Sequence, residues 1–278
     1  MVDAWKIGER MDVMVYQAVA PDTHADRKIR SRSFTFDAGN SLQPKTNYCA
    51  SCAAHKQAIC ARLQGRELEA FSASSTHHVF KPGQMIFSEF DDALTVYTVV
   101  SGDVRLSRML DDGRRQITSF KSKGDFIGLS TSGHYTSDAE AINDVVVCQF
   151  TAHALKNSLE EFNALQSRLM EMMQEEMMTL QDHMVVLGRK TPVEKIASFL
   201  MERVRRVIDT DLEEITGEVA ITLPMTRADI ADFLGLTIET VSRTFTKLRK
   251  QGLIELKSAH DISITDLYGL ELLASSAH

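Results

Sequence analysis

The sequence is short of the features that would mark a secreted, membrane or enzymatic protein. No apolar stretch of its 278 residues reaches membrane-spanning length, so no helix is expected to cross a bilayer. The amino terminus, MVDAWKIGERMDV, scatters charges and lacks an apolar run followed by a small-residue cleavage site. That excludes a secretory signal and points to a cytoplasmic chain. There is no Walker loop, no dinucleotide fingerprint and no HExxH pair, so an enzyme reading finds no support. An excess of positive charge is also lacking: 31 Lys and Arg against 38 Asp and Glu give a net charge of −7, so any contact with nucleic acid must come from a local basic patch. The 44% apolar content suffices for the cores of two ordinary domains.

Cysteine is scarce too, but what there is clusters. Cys49, Cys52 and Cys60 share the stretch NYCASCAAHKQAICARL, and Cys148 stands alone in the apolar run DVVVCQF. A cytoplasmic chain keeps its thiols reduced, and a clustered set there points to metal or redox chemistry rather than disulfides. Thiolates ligate both iron–sulfur clusters and structural zinc, so the residues alone leave both open. Taken by itself, Cys148 reads as a small buried hydrophobe in a strand. It gains weight as the one remaining soft ligand for a three-cysteine group. His55, between Cys52 and Cys60, reads as a solvated loop histidine, and His77 and His78 as surface residues before a strand.

Residues 1–46 mix charges with Ser, Thr and Asn and read as a mobile extension. Residues 47–151 hold the cysteine loop and, from about Val79, short β-type runs separated by Pro82-Gly83, Ser101-Gly102, Asp112-Gly113 and Lys123-Gly124. Such spacing predicts a small antiparallel barrel or sandwich. Residues 152–187 contain no Pro or Gly and space Leu155, Leu159, Phe162, Leu169, Met173, Met177, Leu180, Met184 and Leu187 mostly three or four apart. They predict one long amphipathic helix of about 50 Å, ended by Gly188. That is longer than a small domain covers, so part of its stripe is expected to meet a second copy; a core helix is the plainer alternative.

Residues 188–278 form the last domain. Thr191-Pro192-Val193-Glu194 is a helix start with N-cap, first-position proline and capping-box acid. A charged linker and the strand-like Val219–Leu223 follow. Thr226 and Asp229 cap a helix that buries Ile230, Ala231, Phe233 and Leu234 and stops at Gly235. Thr237 caps a second helix, burying Val241, Phe245 and Leu248. Ile238, Glu239, Thr240, Ser242 and Arg243 lie at that helix's amino-terminal end, where a helix-turn-helix presents side chains to base edges. Arg can bond guanine with two prongs and Glu can accept from cytosine. Arg243, Lys247, Arg249 and Lys250 supply the local basic patch, and LIELKSAHDISIT reads as a hairpin wing. A surface salt bridge between Glu239 and Arg243 is the plain alternative.

From about residue 48 to the carboxyl terminus the chain resembles the Crp/Fnr family of bacterial transcription regulators. The residues that carry the likeness are DDGRRQITSFKSKGDFIGL, the long helix, and MTRADIADFLGLTIETVSR with its Glu239-x-x-Ser242-Arg243 set. The resemblance implies an α+β fold: an amino-terminal antiparallel β-roll of the cyclic-nucleotide-binding jelly-roll type, a long dimerisation helix and a carboxyl-terminal winged helix-turn-helix. It implies a homodimer on double-stranded DNA at palindromic TTGAT-N4-ATCAA sites, contact with RNA polymerase, and no membrane partner. The Fnr branch further implies one oxygen-labile [4Fe-4S] cluster per subunit on Cys49, Cys52, Cys60 and Cys148. The C-x2-C-x7-C spacing departs from the enterobacterial C-x2-C-x5-C and resembles alphaproteobacterial FnrN- and FixK-like proteins, whose targets include microaerobic respiration and nitrogen fixation. Arg168 and Asp182 match positions on the Fnr dimer helix, with Leu169, Met173, Met177, Leu180 and Met184 along the proposed seam. No cyclic-nucleotide site is expected: Leu129 follows Gly128 and no arginine precedes Ala139, so the anchoring cation is missing from GDFIGLSTSGHYTSDAEA.

Overall fold

The computed structural model describes residues 49–208 and 217–275. The extension at 1–46 and most of the charged linker lie outside them.

After two 3-10 turns, Cys49–Ser51 and Ile59–Arg62, helix α1 (Gly65–Ala73) leads into eight strands. These are β1 (Ser75–Phe80), β2 (Met85–Phe87), β3 (Thr95–Ser101), β4 (Val104–Met109), β5 (Arg115–Lys121), β6 (Phe126–Ile127), β7 (Asp138–Ala141) and β8 (Val145–Thr151). They form two four-stranded antiparallel sheets, ordered β1-β8-β3-β6 and β2-β7-β4-β5, enclosing Val99, Val104, Ala139, Val145 and Val147. The roll is as expected from the turn spacing. Its first strand begins at Ser75, four residues before Val79, because His77 and Ser75 are buried alternately with exposed Thr76.

The predicted single helix is two. α2 (Ala152–Glu161) and α3 (Asn163–Arg189) are separated at Phe162, whose φ of −116° and ψ of 97° are not helical. The ring is nearly buried with Leu155, Leu165, Phe71 and Phe150. Packing under the roll therefore overrides a stretch that carries no helix breaker. Gly188 does not end α3, which continues to Arg189. The stop is Pro192, which pushes the preceding residues extended: Lys190 has ψ 144° and Thr191 ψ 161°.

α4 (Pro192–Val207) opens with the predicted capping box, Thr191 with Glu194, and buries Ile196, Ala197, Leu200 and Val204. β9 (Val219–Thr222), α5 (Arg227–Leu234), α6 (Ile238–Lys250), β10 (Ile254–Leu256) and β11 (Asp261–Ile264) complete a winged helix-turn-helix, the wing sheet being ordered β10-β11-β9. A final helix, α7 (Leu267–Ser275), packs on α4. The α5–α6 turn is held by Gly235 at φ 61° and ψ 45°, a left-handed conformation in which a Cβ is disfavoured.

Candidate cofactor centre and DNA-reading helix

The two cysteine groups meet. Cys49, Cys52 and Cys60 lie on the loop before α1, Cys148 lies on β8, and all four line one pocket with Ala54, Ala58, Ile59, Phe71, Val100 and Phe150. Every cysteine is half-buried and free. Cys49 donates to Ser72 Oγ at 3.2 Å, and Cys60 Sγ is 3.6 Å from His55 Nδ1. His55 is thus a neighbour of the site rather than a solvated loop residue. Burial, then the adjacent cysteines, pushes the Cys60 thiol up to about 12, and burial chiefly does the same to Cys148. The thiols of Cys60 and Cys148 are protonated as they stand, and a bound cation would supply the charge that deprotonates them.

Two strands bring further side chains to the pocket. Cys148 stands opposite His77 on β1 and Thr98 on β3. Both flank it on the same sheet face, and both are 3% exposed. His77, expected on the surface, is held neutral by burial and by His78 beside it. Thr98 Oγ1 is buried and has no hydrogen-bond partner. Sequence alone did not single out Thr98; its only signal is its place in a strand of otherwise apolar inward residues.

The donor set suits a thiolate-ligated group, and the orphaned hydroxyl is a donor awaiting an acceptor. Among the described residues, however, no three His, Cys, Asp or Glu side chains stand in an arrangement that would hold a metal ion. The cavity is about 20 Å³, room for roughly one water-sized body. A larger group exceeds the cavity as it stands.

That loop is tied to α3. Arg168 donates to Gln57 O at 3.0 Å, Arg62 pairs with Glu171 at 2.6 Å, and Ile59 and Leu63 pack on Leu165 and Leu169. On the roll side, Gly124 (φ 94°) lets the β5–β6 turn approach closely: a Cβ there would lie 2.5 Å from Gln57 Cβ.

The proposed seam residues divide. Leu169, Met173, Met177 and Leu180 line a cavity of about 490 Å³ between α3 and the roll. Lys121 and Arg206 also line it, paired with Glu176 and Asp125 respectively. At 3.6 residues per turn, Asp182 lies about 140° around the axis from Met177 and about 180° from Met173. It is exposed on another side of α3, near Met178 (63% exposed) and Val185 (48%). Met184 is 71% exposed.

In the reader, Thr237 caps α6 by accepting from Thr240 N–H. Glu239, Ser242 and Arg243 are exposed, as is Ile238; Thr240 is half-buried, with its hydroxyl 3.0 Å from that of Thr237. The helix-start N–H of Glu239, then Thr237 and Arg243, hold the Glu239 carboxyl below its ordinary range. Arg243, Lys247, Arg249 and Lys250 are all exposed. Val241, Thr244, Phe245 and Leu248 anchor the opposite face.

A β-roll feeding a long helix and a winged helix-turn-helix defines a class of DNA-binding regulators. The Crp-like helix-turn-helix domain model matches residues 194–273, and the cyclic nucleotide-binding domain model matches 77–162. The chain is 40% identical over 235 residues to the nitrogen fixation regulation protein FixK of Bradyrhizobium diazoefficiens, covering 84% of this chain and 97% of that one. It is 33% identical over 218 residues to the transcriptional activator protein FnrL of Cereibacter sphaeroides, covering 78% and 88%. The solved structure of FixK2 from Bradyrhizobium japonicum superposes with a TM-score of 0.66 at 36% identity, covering 73% of this chain and 99% of that one. The chain belongs to the Crp/Fnr family of transcription regulators and is not an enzyme.

Proposed function

We propose that the protein is a cytoplasmic, oxygen-responsive regulator, mainly an activator, that binds palindromic TTGAT-N4-ATCAA-type sites as a homodimer while a [4Fe-4S] cluster is intact. The convergence of all four cysteines on one pocket, under a loop bonded to α3, is the observation that carries this reading. Cys49, Cys52, Cys60 and Cys148 are the ligands. When bound, the cluster supplies thiolate-ligated iron that oxygen oxidises. The chain does the rest: the three loop cysteines hold the loop against β8, and Ile59, Leu63, Arg62 and Arg168 pass its position to α3. The open face of α3 pairs with a second copy, setting two α6 helices on the two half-sites, where Glu239, Ser242 and Arg243 read bases and Ile238 and Thr240 border them. RNA polymerase is the partner of the roll and winged domain, and the nitrogen fixation regulation proteins among the relatives support nitrogen-fixation promoters as targets.

Protein prepared without oxygen is expected to bind the palindromic duplex in an anisotropy titration and to release it in air. Equal binding in both conditions would contradict the reading. The small cavity favours one alternative, a structural zinc on the same four thiolates. Metal analysis separates them, since zinc without iron leaves the DNA reader and removes the oxygen response.

A further inference from the structure

The winged domain is joined to the rest of the chain through the two-residue break at Lys190 and Thr191, about which it could pivot. Its first helix-turn-helix element, α5, is also gripped by the roll. Ile117 and Phe120 of β5 share one core with Phe199, Phe233 and Leu234. His183 of α3 stacks on Phe233 with ring centroids 4.1 Å apart. Apolar and stacked contacts of this kind resist separation but fix direction weakly.

Direction comes from a set of charged hydrogen bonds around Asp229, which is 2% exposed. Its two oxygens have separate tasks. Oδ2 accepts from Thr226 N at 3.0 Å and Thr226 Oγ1 at 2.7 Å, completing the cap of α5. Oδ1 accepts from two arginines of the roll, Arg115 at 2.7 Å and Arg105 at 3.2 Å. Arg115 also reaches Asp232 at 2.9 Å through Nε, so its fork spans two successive turns of α5. Arg105 is steadied from behind by Glu140 at 2.6 Å. Gln116 adds a bond to Phe233 O at 3.3 Å.

We infer that Arg105 and Arg115, clasping Asp229 and Asp232, are positioning residues for DNA reading: they set the tilt of the helix-turn-helix on the roll and thereby the separation of the two recognition helices in a dimer. Planar guanidinium groups bond carboxylates directionally, and the fork of Arg115 with one prong of Arg105 on the same helix leaves little freedom to rotate. The clasp touches no base. It fixes where α6 stands relative to the other half-site, which makes the spacer between half-sites a property read by the roll. This inference rests on the homodimeric DNA-binding reading given above.

The test uses the full chain prepared without oxygen and fluorescent duplexes that carry the palindrome, the palindrome with its spacer lengthened by one base pair, and a single half-site. The double variant Arg105→Met/Arg115→Met leaves the Thr226–Asp229 cap in place. It is expected to bind the half-site as the parent does while its preference for the native spacer falls by about ten-fold or more. Arg115→Lys keeps the charge but loses the fork, and is expected to lose part of that preference; it also decides the matter if the double variant fails to fold. Parental spacer preference in a folded variant overturns the inference. Equal weakening on all three duplexes also overturns it, because a merely structural role would act on each alike. A parent protein that binds no palindrome defeats the homodimer reading itself, and the inference falls with it.

Discussion

Asp182 provides the sharpest test of how the cysteine loop could control dimerisation. It is exposed on α3, close along the helix to Met178 and Val185, two large apolar side chains left uncovered. A symmetric pairing of that face brings each Asp182 toward its own copy. At a separation of about 6 Å, two carboxylates repel by about 0.7 kcal/mol at a dielectric of 80 and about 3 kcal/mol at 20. Removing the charge should therefore tighten the dimer by about three-fold to about a hundred-fold. Sedimentation velocity on cluster-free protein in air is the assay. The parent is expected to be largely monomeric, whereas Asp182→Ala and the isosteric Asp182→Asn should dimerise and bind the palindrome. Salt screens the repulsion, so added salt should strengthen the parent's association and leave that of Asp182→Asn nearly unchanged. A monomeric Asp182→Asn would refute the reasoning and move the seam to the face of Met177 and Met184.

Thr98→Val removes a buried hydroxyl without a partner, so the metal-free variant should be more stable than the parent by about 1 kcal/mol in urea melts. If that hydroxyl serves the bound group, the loaded variant should bleach faster in air; a destabilised metal-free variant would show that the hydroxyl already has a partner. Gly124→Ala adds a Cβ at φ 94° and against Gln57, and should cost more than about 1 kcal/mol and weaken cofactor retention; an unchanged melt would contradict the close approach. His183 is held below its ordinary 6.5, chiefly by burial and secondarily by Lys195, against Glu202 and the Phe233 backbone. As pH falls below about 6.5 the unfolded chain takes the proton first, so stability is full above that value and declines beneath it. His183→Phe keeps a ring on Phe233 and should lose less stability than the parent between about pH 7 and pH 5; an equal loss would assign the titration elsewhere, with His77 shifted in the same direction.

The reader was legible because its signals are local. Thr226, Gly235 and Thr237 each act within a few residues: the two threonines cap through their hydroxyls, and Gly235 turns because it has no Cβ. The roll was legible from its glycine turns. The break at Phe162 was not, since no breaker marks it and only the roll's packing requires it. The convergence of the cysteines followed from their scarcity, but His77 and Thr98 are placed beside Cys148 by strand pairing across long stretches of chain. The same holds for Arg105 and Arg115, which look like solvated strand charges until β4 and β5 meet α5. The family resemblance set Asp182 on one seam with Met177, and the helix separates them. Spacing along one stripe gives a face only when a partner's position is known.

The central claim is that one oxygen-labile group controls DNA binding, and it is tested most directly in a single sample. Protein purified without oxygen is analysed for iron and acid-labile sulfide, then exposed to air while visible absorbance and anisotropy of a labelled palindrome are followed together. The account predicts a brown protein with thiolate–iron absorbance at about 400–420 nm, whose colour and DNA binding are lost with the same time course. A colourless zinc protein, or bleaching that leaves the DNA bound, would contradict it.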